Sequence, residues 1–346
     1  ISRNIVRARL AHHGHLPPLR RALPGATSSA GAEVVGRVRV GFQRLGLLPL
    51  VKAQGRLAAE LKQRGIDVEW FEYPAGRELF SALEAGLLDL GLVGDFPPIS
   101  AQAAEVPFVY VAAEAPAPDA EAIVVHADSS IGSVVDLAGR RVALSAGSSS
   151  HYLLLRALEE AQLGYDAIDL VLGSPADSQR AFLRREVDAW AVWDPWLASV
   201  QRATRTRVLR DACGLAPNAS YYVARTEFAD TQPEIVHTLV EHVTQMGREV
   251  RQSPDTFARE VACEVGLPCD GLALALRRHR GTMELTQELL DFQQSIADSV
   301  LRMQMIPRAI SVADARWQPG NAPVHGVLGR PHGLTRATSS PLERRT

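Results

Sequence analysis

Two hydrophobic rhythms alternate along most of this chain. Short runs rich in β-branched residues, which suit a sheet, give way to longer stretches whose apolar positions recur every three to four residues, as on a helix. "GRVRVGF" (36–42) predicts a strand, "LLPLVKAQGRLAAELKQRG" (47–65) a helix ended by Gly65, and "VEWFEY" (68–73) a second strand. Helix "RELFSALEAG" (77–86) and strand "LDLGLVG" (88–94) follow. That order predicts a parallel sheet with right-handed crossovers. "EAPAPDAEA" (114–122) breaks the rhythm with two prolines and no period, as a linker would.

The same rhythm then restarts. Strands are predicted at "AIVVH" (122–126), "RVALS" (141–145), "IDLVLG" (168–173) and "VDAWAVW" (187–193), with helices over 149–162 and 175–185. The second helix opens on "SPAD", with Ser174 as N-cap, Pro175 at the first helical position and Asp177 answering as a capping-box acid. Strand "TRVLRD" (206–211) leads through "ACGLAPNA" to strand "SYYVAR" (220–225), and the rest to Gln318 reads as helical. Two α/β units joined by two crossings, at 114–119 and 212–219, predict two lobes rather than one continuous sheet. The first lobe is expected to comprise 34–115 and 218–318, and the second 116–217. Residues 1–33 lack the 7–15-residue apolar core of an intact signal peptide and are expected to be a disordered leader, with 319–346 a disordered tail. His12, His13 and His15 in the leader read as incidental rather than as metal ligands.

Composition narrows the function classes. A formal charge of -2 over 346 residues gives no basic footprint for nucleic acid, and no apolar run approaches the roughly 18 residues of a membrane span. Cys213, Cys263 and Cys269 form no metal-ligand spacing; Cys263 and Cys269 are expected unpaired unless thiols are oxidised, and Cys213 is expected to be a buried hydrophobe. The chain has no GxSxG, P-loop lysine, GxGxxG after a strand, or HExxH, and no cysteine falls in a strand-to-helix loop, so it is read as a non-enzyme without cofactor or metal.

Ligands of open α/β sheets bind beyond the carboxyl ends of the strands. The loops there are "GFQRLGLLP" with Gln43, "YPAGREL" with Gly76, "GDFPPISAQAA" with Gly94, "SAGSSSHYLLL" and "WDPW". Four of them offer helix N-termini with small or polar residues and no lysine, which points to an anion held by neutral donors. Ser148 sits at the N-cap position, and the two further hydroxyls serve either the helix start or a ligand. Trp190 and Trp193, three apart on a strand, point to opposite faces, one to the core and one to a cleft. Asp95 and Asp194 read first as caps, and Arg278 and Arg280 as solvated surface cations.

Together, "GDFPPISAQAA", "GSSSHYLLLRAL", "VDAWAVWDPW", "YPAG" and "GFQR" resemble segments of the periplasmic aliphatic-sulfonate-binding proteins of ATP-driven importers, in the nitrate, sulfonate and taurine group. The resemblance runs from about Val38 to "RWQP" (316–319). It implies a type II periplasmic-binding-protein fold, with two α/β lobes on a two-strand hinge that close around the ligand. It also implies a periplasmic monomer that hands an alkanesulfonate to a membrane permease for sulfur acquisition. Sulfonate contacts carried over by position are Gln43, the N–H groups near Gly46 and Leu47, Gly94, Asp95, Phe96, Ser148, Ser149 and His151, with Trp193 and Tyr221 facing the organic tail. Taurine, nitrate or an aromatic sulfonate is the nearest alternative ligand; a desulfinase or thiamine-precursor enzyme on this scaffold is the remoter reading. Glu105 departs from the family pattern, standing where a small residue, usually glycine, is expected.

Overall fold

Strand β1 (Gly36–Phe42) alternates buried Val38, Val40 and Phe42 with exposed or half-buried Arg37 and Arg39, the period-2 pattern that lays one face on a core. It begins the described part of this computed structural model, residues 36–44 and 46–318. The expected leader with its three histidines, and the expected tail, lie outside the described residues. Helices α1 (Leu48–Gln54), α2 (Arg56–Gln63) and α3 (Gly76–Glu84) alternate with β2 (Ile66–Glu72) and β3 (Leu90–Gly94); α4 (Phe96–Ala103) leads to β4 (Phe108–Glu114). The chain then forms β5 (Glu121–His126), β6 (Arg141–Leu144), α5 (Ser149–Glu160), β7 (Asp169–Leu172), α6 (Pro175–Leu183), β8 (Ala189–Trp193), α7 (Trp196–Ala203) and β9 (Thr206–Asp211). It returns through β10 (Ser220–Arg225), α8 (Thr226–Thr231), α9 (Pro233–Gln252), α10 (Pro254–Val265), α11 (Cys269–Arg278), β11 (Thr282–Met283) and α12 (Gln287–Arg302).

Among the described residues the strands form two sheets, ordered β11-β4-β10-β3-β1-β2 and β7-β6-β8-β5-β9. The chain passes from the first to the second over 115–120 and back over 212–219. Asn218 ties the crossings together, its side-chain amide donating to Ala117 O at 2.7 Å while its own carbonyl accepts the Ala117 N–H at 3.2 Å. The sheets are mixed rather than parallel: β1 pairs in parallel with β2 and β3, but returning β10 runs antiparallel between β3 and β4. In the second sheet β5 is likewise antiparallel to β8 and β9. A strand that enters a sheet from the other lobe arrives at the opposite end, which fixes its direction.

Three local expectations are corrected. The single helix predicted over 47–65 is two, because Gly55 adopts φ 70° and its N–H closes the first on Val51 O and Lys52 O. Strand β4 and helix α4, absent from the sequence reading, lie in "FVYVAAE" and "FPPISAQA". All three cysteines are free and exposed, so Cys213 is no buried hydrophobe. The Ser174 cap does form, accepting from Asp177 N at 3.2 Å. Glu105 has φ 63°, which explains why glycine suits that position, and its carboxylate pairs with Arg308 beyond the C-terminal end of α4, away from the cleft.

One apolar cluster runs from Leu79 and Phe96 beside the first sheet through Tyr221 to Ile123 and Leu153 beside the second. Within it sit two fully buried acids, Asp95 ahead of α4 and Glu121 at the start of β5, none of whose four carboxyl oxygens has a hydrogen bond of good geometry among the described residues. Asp95 therefore does not cap α4 through its side chain, contrary to expectation, and it is not among the residues that line the cavity described below. Burial pushes its carboxyl up to about 7, which the nearby Asp95 and Phe96 N–H groups offset only in part. Burial, and then the neighbouring Asp95 charge, raises Glu121 as well, against the Ser149 hydroxyl. Both acids bind a proton in the folded protein where the unfolded chain has released it, so stability falls as pH rises from about 4 towards 7. Thermal melts across that range should show a falling Tm, and Asp95→Asn should flatten the slope and raise Tm at pH 8 by at least the ~2–4 °C that 1 kcal/mol brings. An unchanged slope in the variant would show that Asp95 is ionised throughout.

Candidate functional site

The carboxyl ends of β1, β3, β6 and β8 face one another across the two sheets, and the loops beyond them enclose a cavity of about 110 Å³. Gln43, Arg44, Gly46, Gly76, Gly94 and Glu114 line it from one side, and Gly147, Ser148, Ser149, Trp193 and Asp194 from the other. Asn218 of the crossing and an apolar wall of Leu50, Leu267, Leu272 and Leu276 complete it. The two tryptophans of β8 divide as their spacing requires: Trp190 is packed with Phe182 and Val192, and Trp193 borders the cavity.

The three serines have separate duties. Ser148 is the N-cap of α5; its Oγ accepts from His151 N at 3.3 Å, donates to Ser145 O at 2.7 Å and lies 3.0 Å from Ser150 Oγ. Ser150 is fully buried, whereas Ser149 lines the cavity. His151 does not line it. Its Nδ1 accepts the Gly147 N–H at 3.1 Å, which puts the ring proton on Nε2, 2.8 Å from Tyr165 Oη. Burial lowers its pKa to about 4, so it is a neutral ring that holds the Gly147 turn in place. Gly147 needs that turn, at φ 71° with Phe96 3.6 Å from where a Cβ would stand. The first N–H groups of α5 have no partner within the helix, and neither do those of α3 at Gly76 and Arg77, which open onto the same cavity. Pro97 and Pro98, in contrast, strip two donors from the first turn of α4, so Gly94 contributes closeness rather than a helix end: a Cβ there would sit 3.7 Å from Ser149 Oγ.

Several expected contacts are not cavity residues. Leu47 is wholly buried and its N–H donates to Glu114 Oε1 at 2.9 Å. Phe96 packs in the core with its ring 6.3 Å from that of His151, and Tyr221 lies fully buried, edge-on to Tyr110 at 5.1 Å. The cavity keeps Gln43, Gly46, Gly94, Ser148, Ser149 and Trp193 from the expected set. Gln43 is fixed by its amide, which donates to Leu92 O at 3.1 Å.

The residue missed is Glu114. Its carboxylate accepts from Leu47 N and from Tyr222 Oη at 2.8 Å, and His279 Nε2 lies 3.1 Å away; Gly281 N–H donates to Nδ1 of that ring, so its proton also faces the acid. Burial opposes its ionisation, but His279, Tyr222 and the Leu47 N–H together hold the carboxyl below its ordinary value. The signal in the sequence was an acid closing the apolar run "FVYVAA", on the very strand left unread. Arginines also border the cavity, against the expectation of neutral donors alone: Arg44 pairs with Glu72 at 2.7 Å and Arg280 with Asp119 at 2.7 Å. Arg278 is not a solvated cation but donates to both oxygens of Asp194, at 3.0 and 2.9 Å, and to Gln201 Oε1 at 2.5 Å. Among the described residues no group of three acids, histidines or cysteines is placed to hold a metal.

Comparison with known proteins bears on what this cavity holds. The family described as NMT1/THI5 like matches residues 61–256. An aliphatic sulfonates-binding protein of Escherichia coli (strain K12) is 34% identical over 284 residues, 82% of this chain and 89% of that protein. The solved structure of the alkanesulfonate-binding protein SsuA from Xanthomonas axonopodis pv. citri, bound to MOPS, has a TM-score of 0.76 at 31% identity, covering 83% of this chain and 99% of that one. The desulfurization enzyme DSZB, at 16% identity and a TM-score of 0.61, covers 82% of this chain and 97% of its own and shares the fold alone. With its two mixed sheets, the cavity between them and relatives of this kind along most of its length, the chain belongs to the NMT1/THI5-like family of two-lobed binding proteins that includes the aliphatic-sulfonate binders.

Proposed function

We propose that this protein is the solute-binding component of an ATP-driven importer, which captures an alkanesulfonate between its lobes in the periplasm and delivers it to a membrane permease. The observation that carries the reading is the meeting of the α3 and α5 N-termini, one from each lobe, on a cavity whose bordering arginines Arg44 and Arg280 are already paired with Glu72 and Asp119 and whose far wall is apolar. A sulfonate spreads one charge over three oxygens at any physiological pH, which N–H groups and a hydroxyl can match; a phosphate dianion in the same place would be undercompensated. Among the described residues no helix is long and apolar enough to cross a membrane. The carboxylates on the cavity wall are already engaged, Glu114 by the Leu47 N–H, the Tyr222 hydroxyl and the adjacent His279 ring and Asp194 by Arg278, which favours an alkyl tail over the ammonium of taurine.

Closure has its own contacts. Helix α11 lies against α7 across the lobe boundary, so closely that a Cβ at Gly271 would stand 3.4 Å from Ser199 Cα. The Arg278–Asp194 pair spans the same seam, both side chains largely buried, and burial pushes the Asp194 carboxyl up to about 6 despite the arginine. A ligand gripped from both lobes and this pair favour the same closed arrangement, so their effects on its population combine.

Calorimetric titration should show ethanesulfonate binding tighter than taurine, nitrate and phosphate; phosphate binding alone would defeat the reading. Ser149→Ala should weaken ethanesulfonate about tenfold with little change in Tm, since a hydrogen bond to a charged group is worth ~1.5–3 kcal/mol. Ser148→Ala should instead cost ~1 kcal/mol of stability as a lost cap. Arg278→Met should enlarge the radius of gyration of the ligand-free protein in X-ray scattering and weaken ethanesulfonate several-fold; unchanged scattering and affinity would show the seam to be neutral.

A further inference from the structure

Ser149 lines the cavity, and its hydroxyl also lies beside Glu121, a fully buried acid that is not among the lining residues. The backbone fixes Glu121 there: it pairs with Trp193 of β8, and its carbonyl accepts the Ala212 N–H at 3.2 Å. The first lobe closes on the same spot. A Cβ at Gly94 would stand 3.7 Å from Ser149 Oγ, and the next residue, Asp95, brings a second buried carboxyl whose charge acts on Glu121. Around this pair the facing groups are neutral: Tyr110 of β4, Tyr221 of β10 and Tyr152 of α5 are kept un-ionised by burial, His151 is a neutral ring, and α12 presents the amide of Gln293. Charged groups on the adjoining segments have partners of their own, Asp119 in Arg280, Asp194 in Arg278, Asp211 in Arg210 and Arg156 in Glu159. Among the described residues no cation acts on either buried acid.

We propose that Glu121 is a positioning residue for the anion: as the neutral acid it donates to Ser149 Oγ, which frees the Ser149 proton for a sulfonate oxygen, so that capture is coupled to proton uptake. The inference rests on the sulfonate reading above for the identity of the anion. A serine hydroxyl has one proton to give. Beside an ionised Glu121 that proton goes to the carboxylate, and oxygen lone pairs are left to face the incoming anion. Beside the neutral acid the order reverses, and two hydrogen bonds run in line from Glu121 through Ser149 to the ligand. Burial, and then the Asp95 charge, already holds the Glu121 carboxyl well above its ordinary value. An anion in the cavity is a further negative charge, which strengthens the hold on that proton. By linkage the proton strengthens the hold on the anion by the same factor. A sulfonate takes up no proton itself at any physiological pH, so a proton bound on capture belongs to the protein.

The test is titration calorimetry with ethanesulfonate from about pH 6 to about pH 9, in pairs of sulfonate-free buffers of different ionisation heat that together count the protons bound. The wild-type protein, Glu121→Gln and Ser149→Ala are compared, with thermal melts to confirm folding. The wild-type protein is expected to bind at least about fivefold tighter at the acid end, as the loss of a hydrogen bond to a charged group requires, and to take up protons on binding towards the alkaline end. Glu121→Gln keeps an N–H donor for Ser149 Oγ at every pH, so it should hold the acid-end affinity throughout and take up no proton. Ser149→Ala should be weak and equally flat; if Glu121→Gln does not fold, this variant and the wild-type proton count decide. Wild-type binding that neither varies with pH nor takes up protons overturns the coupling and leaves the sulfonate reading standing. A pH dependence that survives in either variant places the proton elsewhere and overturns it too. Failure to bind ethanesulfonate at any pH overturns both.

Discussion

The carboxylate of Glu114 holds the first-lobe side of the cleft in register. It closes strand β4 one residue before the chain leaves for the second lobe, and it gathers three other segments: the turn at Gly46–Leu47, strand β10 through Tyr222, and the stretch after α11 through His279. A buried acid is costly without such company, so each of these partners is needed by the others. Gly46 shows how tight the knot is. At φ 66° it leaves no room for a side chain, since a Cβ would fall 2.1 Å from Leu92 and 2.6 Å from Glu114 Oε1. A negative charge on the wall of the proposed anion site is tolerable because it engages donors that would otherwise face the cavity.

The division of labour among charged groups follows from the same economy of partners. Arg44, Arg278 and Arg280 border or span the cleft, yet each has its own carboxylate in Glu72, Asp194 and Asp119. What remains at the cavity is a set of backbone N–H groups and the Ser149 hydroxyl, which also lies beside the Glu121 carboxyl. Such donors match a diffuse monoanion and release it when the lobes part, which suits a carrier that must surrender its cargo. Asp95 and Glu121 belong to a different account: buried without partners, they lower stability at neutral pH.

Periodicity and turn chemistry made the two-lobed architecture legible, because most strands and helices carry their own local signal. The Ser174 cap and the opposed faces of Trp190 and Trp193 are cases in which spacing alone dictated geometry. The site was legible in its loops but not in its contacts. Leu47, Phe96 and Tyr221 stand beside the right turns yet face inward, and only tertiary packing decides which side of a loop meets the cavity. Glu114 and Arg278 escaped for the complementary reason: each acts on residues at least 67 positions away in the chain, a relation that no local pattern records. His151 looked like a ligand because it follows the serines, and it proves to be the brace behind them.

The absence of a side chain at Gly271 gives the molecule a built-in gauge. Where α11 meets α7 the lobes come together almost backbone to backbone, and backbone does not yield as a long side chain would. The closed clearance between the lobes is thus set by the polypeptide itself and not by whatever lies inside. A side chain longer than alanine's at position 271 would therefore hold the lobes apart at this seam whatever the cleft contains.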